Sequence, residues 1–182
     1  MVAVRKSFTN VYLIGPMGSG KTTIGLRLAR LMGMEFFDND HELEKQTGAS
    51  VSLIFDLEGE EGFRRRETAM LKKLTAKENV VVATGGGTIL SRENRQMLKQ
   101  SGTVVYLRTS VEQQIGRLSR DKTRPLLHSG DREGKLARLA EERNPLYEEI
   151  ADVVFPSRNR GLDAAARALH EAVMLHLNPE TR

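Results

Sequence analysis

An α/β fold, with three αβα layers around a central parallel five-stranded sheet, is predicted by three observations. Apolar runs of strand length alternate with longer helical patterns along the 182 residues, the order expected of parallel strands joined by helical crossovers. Runs such as Val80-Val81-Val82-Ala83 are apolar throughout, as befits strands buried on both faces. The first run passes into the first helical pattern through a glycine-rich turn, Gly15-Pro16-Met17-Gly18-Ser19-Gly20-Lys21-Thr22.

The first strand is expected over 10–14, and the helix that follows the turn over 22–32, where Gly33 stops it. A short second strand, 34–37, ends at Asp38. Helical stretches over about 41–47, 51–56 and 60–77 are separated by Gly48 and Gly59. The strand 80–83 closes on Thr84-Gly85-Gly86-Gly87, and Ser91 is placed to cap a helix over 92–100. A strand over 103–107 leads to a helix over 111–118. Residues 119–131, rich in Arg, Lys, Thr, Pro, Ser and Gly, read as a loop. A helix over 132–142, extendable past Pro145, precedes the last strand, 153–155. An Ala/Leu-rich amphipathic helix over 162–177 closes the chain. Nothing divides the sequence into repeats or a second domain, so residues 1–182 are read as one domain.

Composition bounds the function. The chain has no Cys, which excludes disulfides, Cys-containing metal sites and thiol catalysis. No apolar run approaches the ~18 residues of a membrane helix, and no signal-type segment opens the chain. A cytoplasmic, monomeric protein without membrane contact is the expectation. Net charge is only +4, and three Tyr, six Phe and no Trp leave little for a basic, base-stacking surface, so nucleic acid is not the expected partner. Arg side chains gather at 64–66 and between 117 and 143, which favours forked recognition of small carboxylates or phosphates.

The stretch 15–22 has the spacing G-x-x-x-x-G-K-S/T of a phosphate-binding P-loop. Its glycines allow successive backbone N–H groups to turn inward on phosphate oxygens; Lys21 adds a positive charge and Thr22 a hydroxyl for Mg²⁺. A nucleoside triphosphate is the implied ligand, with Gly15, Met17, Gly18, Ser19, Gly20, Lys21, Thr22 and Thr23 as its candidate contacts. Many such proteins also hold Mg²⁺ with an acid at the end of a central strand. Here the strand 80–83 ends without one, which directs attention to Asp38 and Asp40 after the second strand. Asp is a common helix cap, but two acids in one D-x-D turn exceed what one cap requires. Three glycines after a buried strand permit close backbone approach to a ligand. In the segment Phe63-Arg64-Arg65-Arg66, Glu60 pairs by spacing with Arg64 and Glu61 with Arg65, so not all three arginines serve one site. Arg117, Arg120, Lys122 and Arg124 crowd a loop without core residues, a composition suited to a lid over phosphates. The four His show no metal-ligand spacing.

Taken in order, Gly15 to Thr22, Asp38-Asn39-Asp40, Gly62-Phe63-Arg64 with Glu67, Gly85-Gly86-Gly87, Arg124-Pro125-Leu126-Leu127 and Arg143-Asn144-Pro145-Leu146-Tyr147 resemble shikimate kinase over nearly the whole chain. The resemblance implies the P-loop, nucleoside monophosphate kinase-like fold with a lid, about 117–131, and an acceptor-binding helical region, about 39–66. It implies transfer of the γ-phosphoryl group of ATP to the 3-hydroxyl of shikimate, in aromatic amino-acid biosynthesis. By position, Arg64 and Arg143 hold the acceptor carboxylate, Gly86 and Gly87 approach its hydroxyls, and Asp40 is the candidate base. Asp38 and Thr22 serve Mg²⁺, while Lys21 and the lid residue Arg124 neutralise the transferring phosphoryl group. Arg120 is placed on adenine, with Arg158 near the far wall of that pocket. Asn39 stands where the family often has Ser or Thr. A gluconate kinase or a nucleoside monophosphate kinase is the nearest alternative, and a regulatory nucleotide switch is the alternative from another class. The switch is disfavoured because no N-K-x-D guanine-reading motif is present.

Overall fold

The computed structural model describes residues 10–119, 130–158 and 160–179. Five strands, β1 (Val11–Ile14), β2 (Glu35–Asp38), β3 (Val80–Ala83), β4 (Thr103–Arg108) and β5 (Val153–Pro156), form one sheet in the order β2-β3-β1-β4-β5. Every pairing is parallel, as the crossover pattern predicts.

Side chains alternate across the central strands and sort the core into two layers. Tyr12, Ile14, Val80, Val82, Val104 and Tyr106 face one side. They meet Leu71 and Leu74 of helix α3 (Val51–Thr75), Leu98 of α4 (Arg92–Ser101), and Tyr147 and Ile150 of α6 (Arg132–Ile150). Val11, Leu13, Val81, Val105 and Leu107 face the other side, against Ile24 and Leu28 of α1 (Lys21–Met32) and Leu169 and Val173 of α7 (Leu162–Leu177). Removing this much apolar surface from water is the main driving force for the three layers.

The remaining helices position the site. Helix α2 (Asn39–Thr47) begins directly at the end of β2. It shares a small core of Leu43, Ile54 and Phe63 with α3, whose axis breaks at Gly59 (φ 71, ψ −179). That break folds the start of α3 back, so Phe55 and Phe63 meet with ring centroids 4.5 Å apart. Ser50, Ser91 and Ser110 each accept a backbone N–H and start α3, α4 and α5 (Val111–Leu118). Helix α6 continues through Pro145 for another turn, a longer helix than 132–142. Its later half is held by Tyr147 and Ile150 in the sheet core, and that packing outweighs the lost N–H.

Candidate active site

Everything the sequence singled out after a strand emerges at the carboxyl edge of the sheet, where ligands collect in open α/β folds. The turn after β1 delivers the P-loop. Gly20 caps α1 in the left-handed conformation (φ 86, ψ 21), which a side chain would resist. No acid occupies the first turn of α1, so its positive end is left for an anion. Lys21 Nζ lies over the loop, donating to the carbonyls of Gly15 and Pro16, each at 2.8 Å, and to Ser19 Oγ at 3.3 Å.

The end of β2 supplies the acid that β3 lacks. Asp38 pairs in register with Ala83, and its carboxylate divides its work. Oδ1 caps α2 by accepting from the N–H groups of Asp40 (3.0 Å) and His41 (3.2 Å), while Oδ2 accepts from Thr22 Oγ1 at 2.6 Å. Capping and a site role, posed as alternatives by the sequence, are thus compatible. A hydroxyl and a carboxylate side by side are hard oxygen donors of the kind Mg²⁺ takes, with phosphate and water completing its shell. Among the described residues no group of three His, Cys, Asp or Glu forms an all-protein cage. These residues therefore fit a Mg²⁺ ion shared with a nucleotide.

Among the described residues, the main clefts along this edge adjoin one another. The first, of about 230 Å³, is lined by Gly20, Thr23, Arg117, Phe155, Pro156, Ser157 and Arg158. The second, of about 360 Å³, is lined by Lys21, Thr22, Asp38, Asp40, Gly85 and Gly86, and shares Gly20, Thr23 and Arg117 with the first. The third, of about 540 Å³, gathers Asp40, Phe55, Phe63, Arg64, Gly87 and Arg143. Met17, Asp40, Gly85 and Gly86 form the wall common to the second and third. Asp40 therefore stands between the P-loop and the two arginines.

Arg64 and Arg143 come from different helices and reach one cleft. Arg64 donates to Glu67 Oε2 at 2.9 Å, and Glu67, 1% exposed, also accepts from Thr88 Oγ1 at 2.7 Å. This buried brace fixes the guanidinium against the loop after β3. A Cβ at Gly87 would overlap that guanidinium, so only glycine lets the arginine lie there. Arg64 also reaches Glu60 at 3.4 Å, and Arg65 and Arg66 pair with Glu61 and Glu58 on the exposed face, so the spacing pairs Glu60–Arg64 and Glu61–Arg65 both form.

Arg120 and Arg124, with Lys122, lie outside the described residues. Arg158 lines the first cleft. Arg117, assigned from sequence only to the lid, has a sharper position. From the last turn of α5 it donates to Gly18 O at 3.1 Å and to Ser157 Oγ at 2.6 Å, clasping the P-loop to the segment after β5. Glu67, Thr88 and Tyr147 also carry contacts for which the sequence reading named no role. The i, i+3 spacing of Arg64 and Glu67 was the available signal for the first of them.

The model of the shikimate kinase family matches residues 17–174. The chain belongs to the shikimate kinase family. It is 52% identical over 161 residues to shikimate kinase 1 of Hamiltonella defensa, a span of 88% of this chain and 93% of that one. It is 53% identical over 162 residues to shikimate kinase 1 of Escherichia coli, covering 88% and 93%. The structure of shikimate kinase from Acinetobacter baumannii in complex with shikimate superposes with a TM-score of 0.85 at 49% identity, over 94% of each chain. Family and fold thus agree with the αβα layering and with the ordered motifs.

Proposed function

We propose that the chain transfers the γ-phosphoryl group of ATP to the 3-hydroxyl of shikimate, giving shikimate 3-phosphate and ADP. The observation that carries this reading is the shared wall: Asp40 lines both the P-loop cleft and the cleft holding Arg64 and Arg143. Two guanidinium forks in one cleft suit a carboxylate and favour a hydroxy acid over a nucleotide or an uncharged sugar. With that carboxylate on Arg64 and Arg143, and Gly86 and Gly87 beside the ring hydroxyls, one hydroxyl is directed past Asp40 toward the P-loop.

In the transfer, the acceptor oxygen forms a bond to the γ-phosphorus as the bond from that phosphorus to the β-bridging oxygen breaks. The hydroxyl proton passes to Asp40, and ADP leaves with the bridging electrons. Such transfers depend mainly on in-line placement and charge neutralisation. Lys21 and the backbone N–H groups of the P-loop supply fixed positive charge, and Arg124 is assigned the same role from the lid by its Arg-Pro-Leu-Leu setting. Thr22 and Asp38 would hold Mg²⁺, which neutralises phosphate charge when bound. Arg120 is assigned to adenine on the same resemblance, joined by Arg117 and Arg158 on the clefts they line.

We further infer one kinase domain over residues 1–182, with an acceptor-binding region over about 39–66 and a lid over about 117–131, acting as a cytoplasmic monomer without nucleic-acid partners. No helix among the described residues is long and apolar enough to cross a membrane.

A coupled assay of ADP release tests the function. Release is expected only with both Mg²⁺ and shikimate, and to be far lower with quinate, gluconate or nucleoside monophosphates as acceptors. Equal release with and without shikimate rejects the transfer. Arg117→Ala tests the nucleotide end. Losing a charged clasp between Gly18 and Ser157 is expected to raise KM for ATP about tenfold, with KM for shikimate little changed. An unchanged KM for ATP removes Arg117 from the nucleotide site.

A further inference from the structure

Tyr147 is fully buried one helical turn after Arg143, and its hydroxyl donates to the carbonyl oxygen of Gly86 at 2.5 Å. The Arg143 guanidinium lies against the same glycine, with Nη1 3.7 Å from where a Cβ of Gly86 would stand. The ring is fixed from the sheet by Tyr106, stacked at 5.0 Å between centroids and 23° between planes. Tyr106 in turn donates to Asn144 Oδ1 at 3.3 Å. Burial pushes the Tyr147 hydroxyl above its ordinary value, so it remains a donor at any working pH.

One peptide bond links this buried contact to the cleft. All described peptides are trans, and in a trans peptide the C=O of one residue and the N–H of the next point in opposite directions. Anchoring Gly86 O on the α6 side therefore turns the Gly87 N–H away from it. Both glycines line the cleft that contains Arg64 and Arg143. No hydrogen bond among the described residues uses the Gly87 N–H.

We propose that Tyr147 is a positioning residue for the acceptor site: its buried hydroxyl holds the Gly86 peptide and Arg143 in one fixed relation, aiming the Gly87 N–H and that guanidinium together at the acceptor. The inference rests on the function proposed above. It assigns Tyr147 no contact with either substrate and no proton transfer.

Tyr147→Phe keeps the ring and its stacking and removes the tie. It is expected to raise KM for shikimate about tenfold while KM for ATP stays within about twofold. Tyr106→Phe, which removes a neighbouring hydroxyl that does not touch Gly86, is the matched control and is expected to leave KM for shikimate within about twofold. An unchanged KM for shikimate in Tyr147→Phe overturns the proposal. So does an equal rise for both substrates, or the same change in the control, because each marks general loosening of the fold. In the ligand-free protein the amide resonance of Gly87 is expected to shift in Tyr147→Phe and to stay in place in Tyr106→Phe. A static Gly87 resonance overturns the positioning role. This amide measurement needs no turnover, so it stands apart from the ADP-release assay. Absence of shikimate-dependent turnover in the unmodified chain defeats the functional reading instead. Should Tyr147→Phe not fold, titrating the unmodified protein with shikimate decides: the Gly87 amide is expected to move, and a resonance that does not move overturns the proposal.

Discussion

Asp40→Asn is expected to lower kcat for shikimate phosphorylation by about 10²–10⁴-fold, the usual worth of a positioned general base, while ATP binds with nearly unchanged affinity. The reason lies in where Asp40 sits. It stands two residues past the end of β2, in the first turn of α2, and belongs to the wall common to the P-loop cleft and the arginine-lined cleft. The amide is nearly isosteric with the carboxylate and keeps an oxygen that accepts a hydrogen bond. It cannot take the proton that leaves the attacking hydroxyl. The cap of α2 is made by the Asp38 side chain to the Asp40 backbone N–H, which the substitution leaves in place. Stability is therefore expected to change by less than about 1 kcal/mol. Single-turnover phosphoryl transfer, ATP affinity by calorimetry and thermal unfolding together check this. Near-normal turnover would remove the base from the mechanism and leave Asp40 a helix-terminal acid. Asp38→Asn makes the informative contrast, because Asp38 carries both the cap and the contact to Thr22. Its loss is expected to move stability and metal dependence together.

The elements were legible in the sequence because each is signalled locally. The central strands β1 and β3 are apolar throughout and end on Gly or Thr, and α3, α4 and α5 each start on a serine that caps it. The P-loop and the D-x-D turn were legible for the same reason, since their chemistry is written in adjacent residues. Glu67 was not. By spacing it resembles Glu60 and Glu61 on the same acidic, arginine-rich helix, yet they are exposed and it is 1% exposed. What distinguishes it is Thr88, 21 residues away, brought there by the packing of α3 against the loop after β3. Tyr147 and Gly86 are 61 residues apart, and Arg117 and Gly18 are 99 apart. Contacts of this kind follow from the tertiary arrangement and have no local period to betray them. Pro145 illustrates the converse, a strong local stop signal that core packing of the residues after it overrides.

Arg64→Ala is expected to weaken shikimate binding by about 1.5–3 kcal/mol, the range for a charge-assisted hydrogen bond, or roughly 10- to 150-fold in affinity, with ATP affinity little changed. A second effect accompanies it. Arg64 is the ion-pair partner of Glu67, and removing it leaves that buried carboxylate with Thr88 alone. Breaking a buried pair by deleting one member is costly, up to about 3–5 kcal/mol. The Arg64 side chain is 25% exposed, so solvent screening places the expected loss at the lower end of that range or below it. A fall in shikimate affinity in the single variant thus mixes lost recognition with a loosened loop after β3. Adding Glu67→Gln separates the two, since the amide removes the buried charge and still accepts from Thr88. The double variant is expected to regain most of the thermal stability and none of the shikimate affinity. Recovery of affinity along with stability would show that Arg64 serves the fold through Glu67 and does not itself grip the carboxylate. Unchanged shikimate affinity in Arg64→Ala would place the carboxylate elsewhere, with Arg143 as the remaining guanidinium in that cleft named for it.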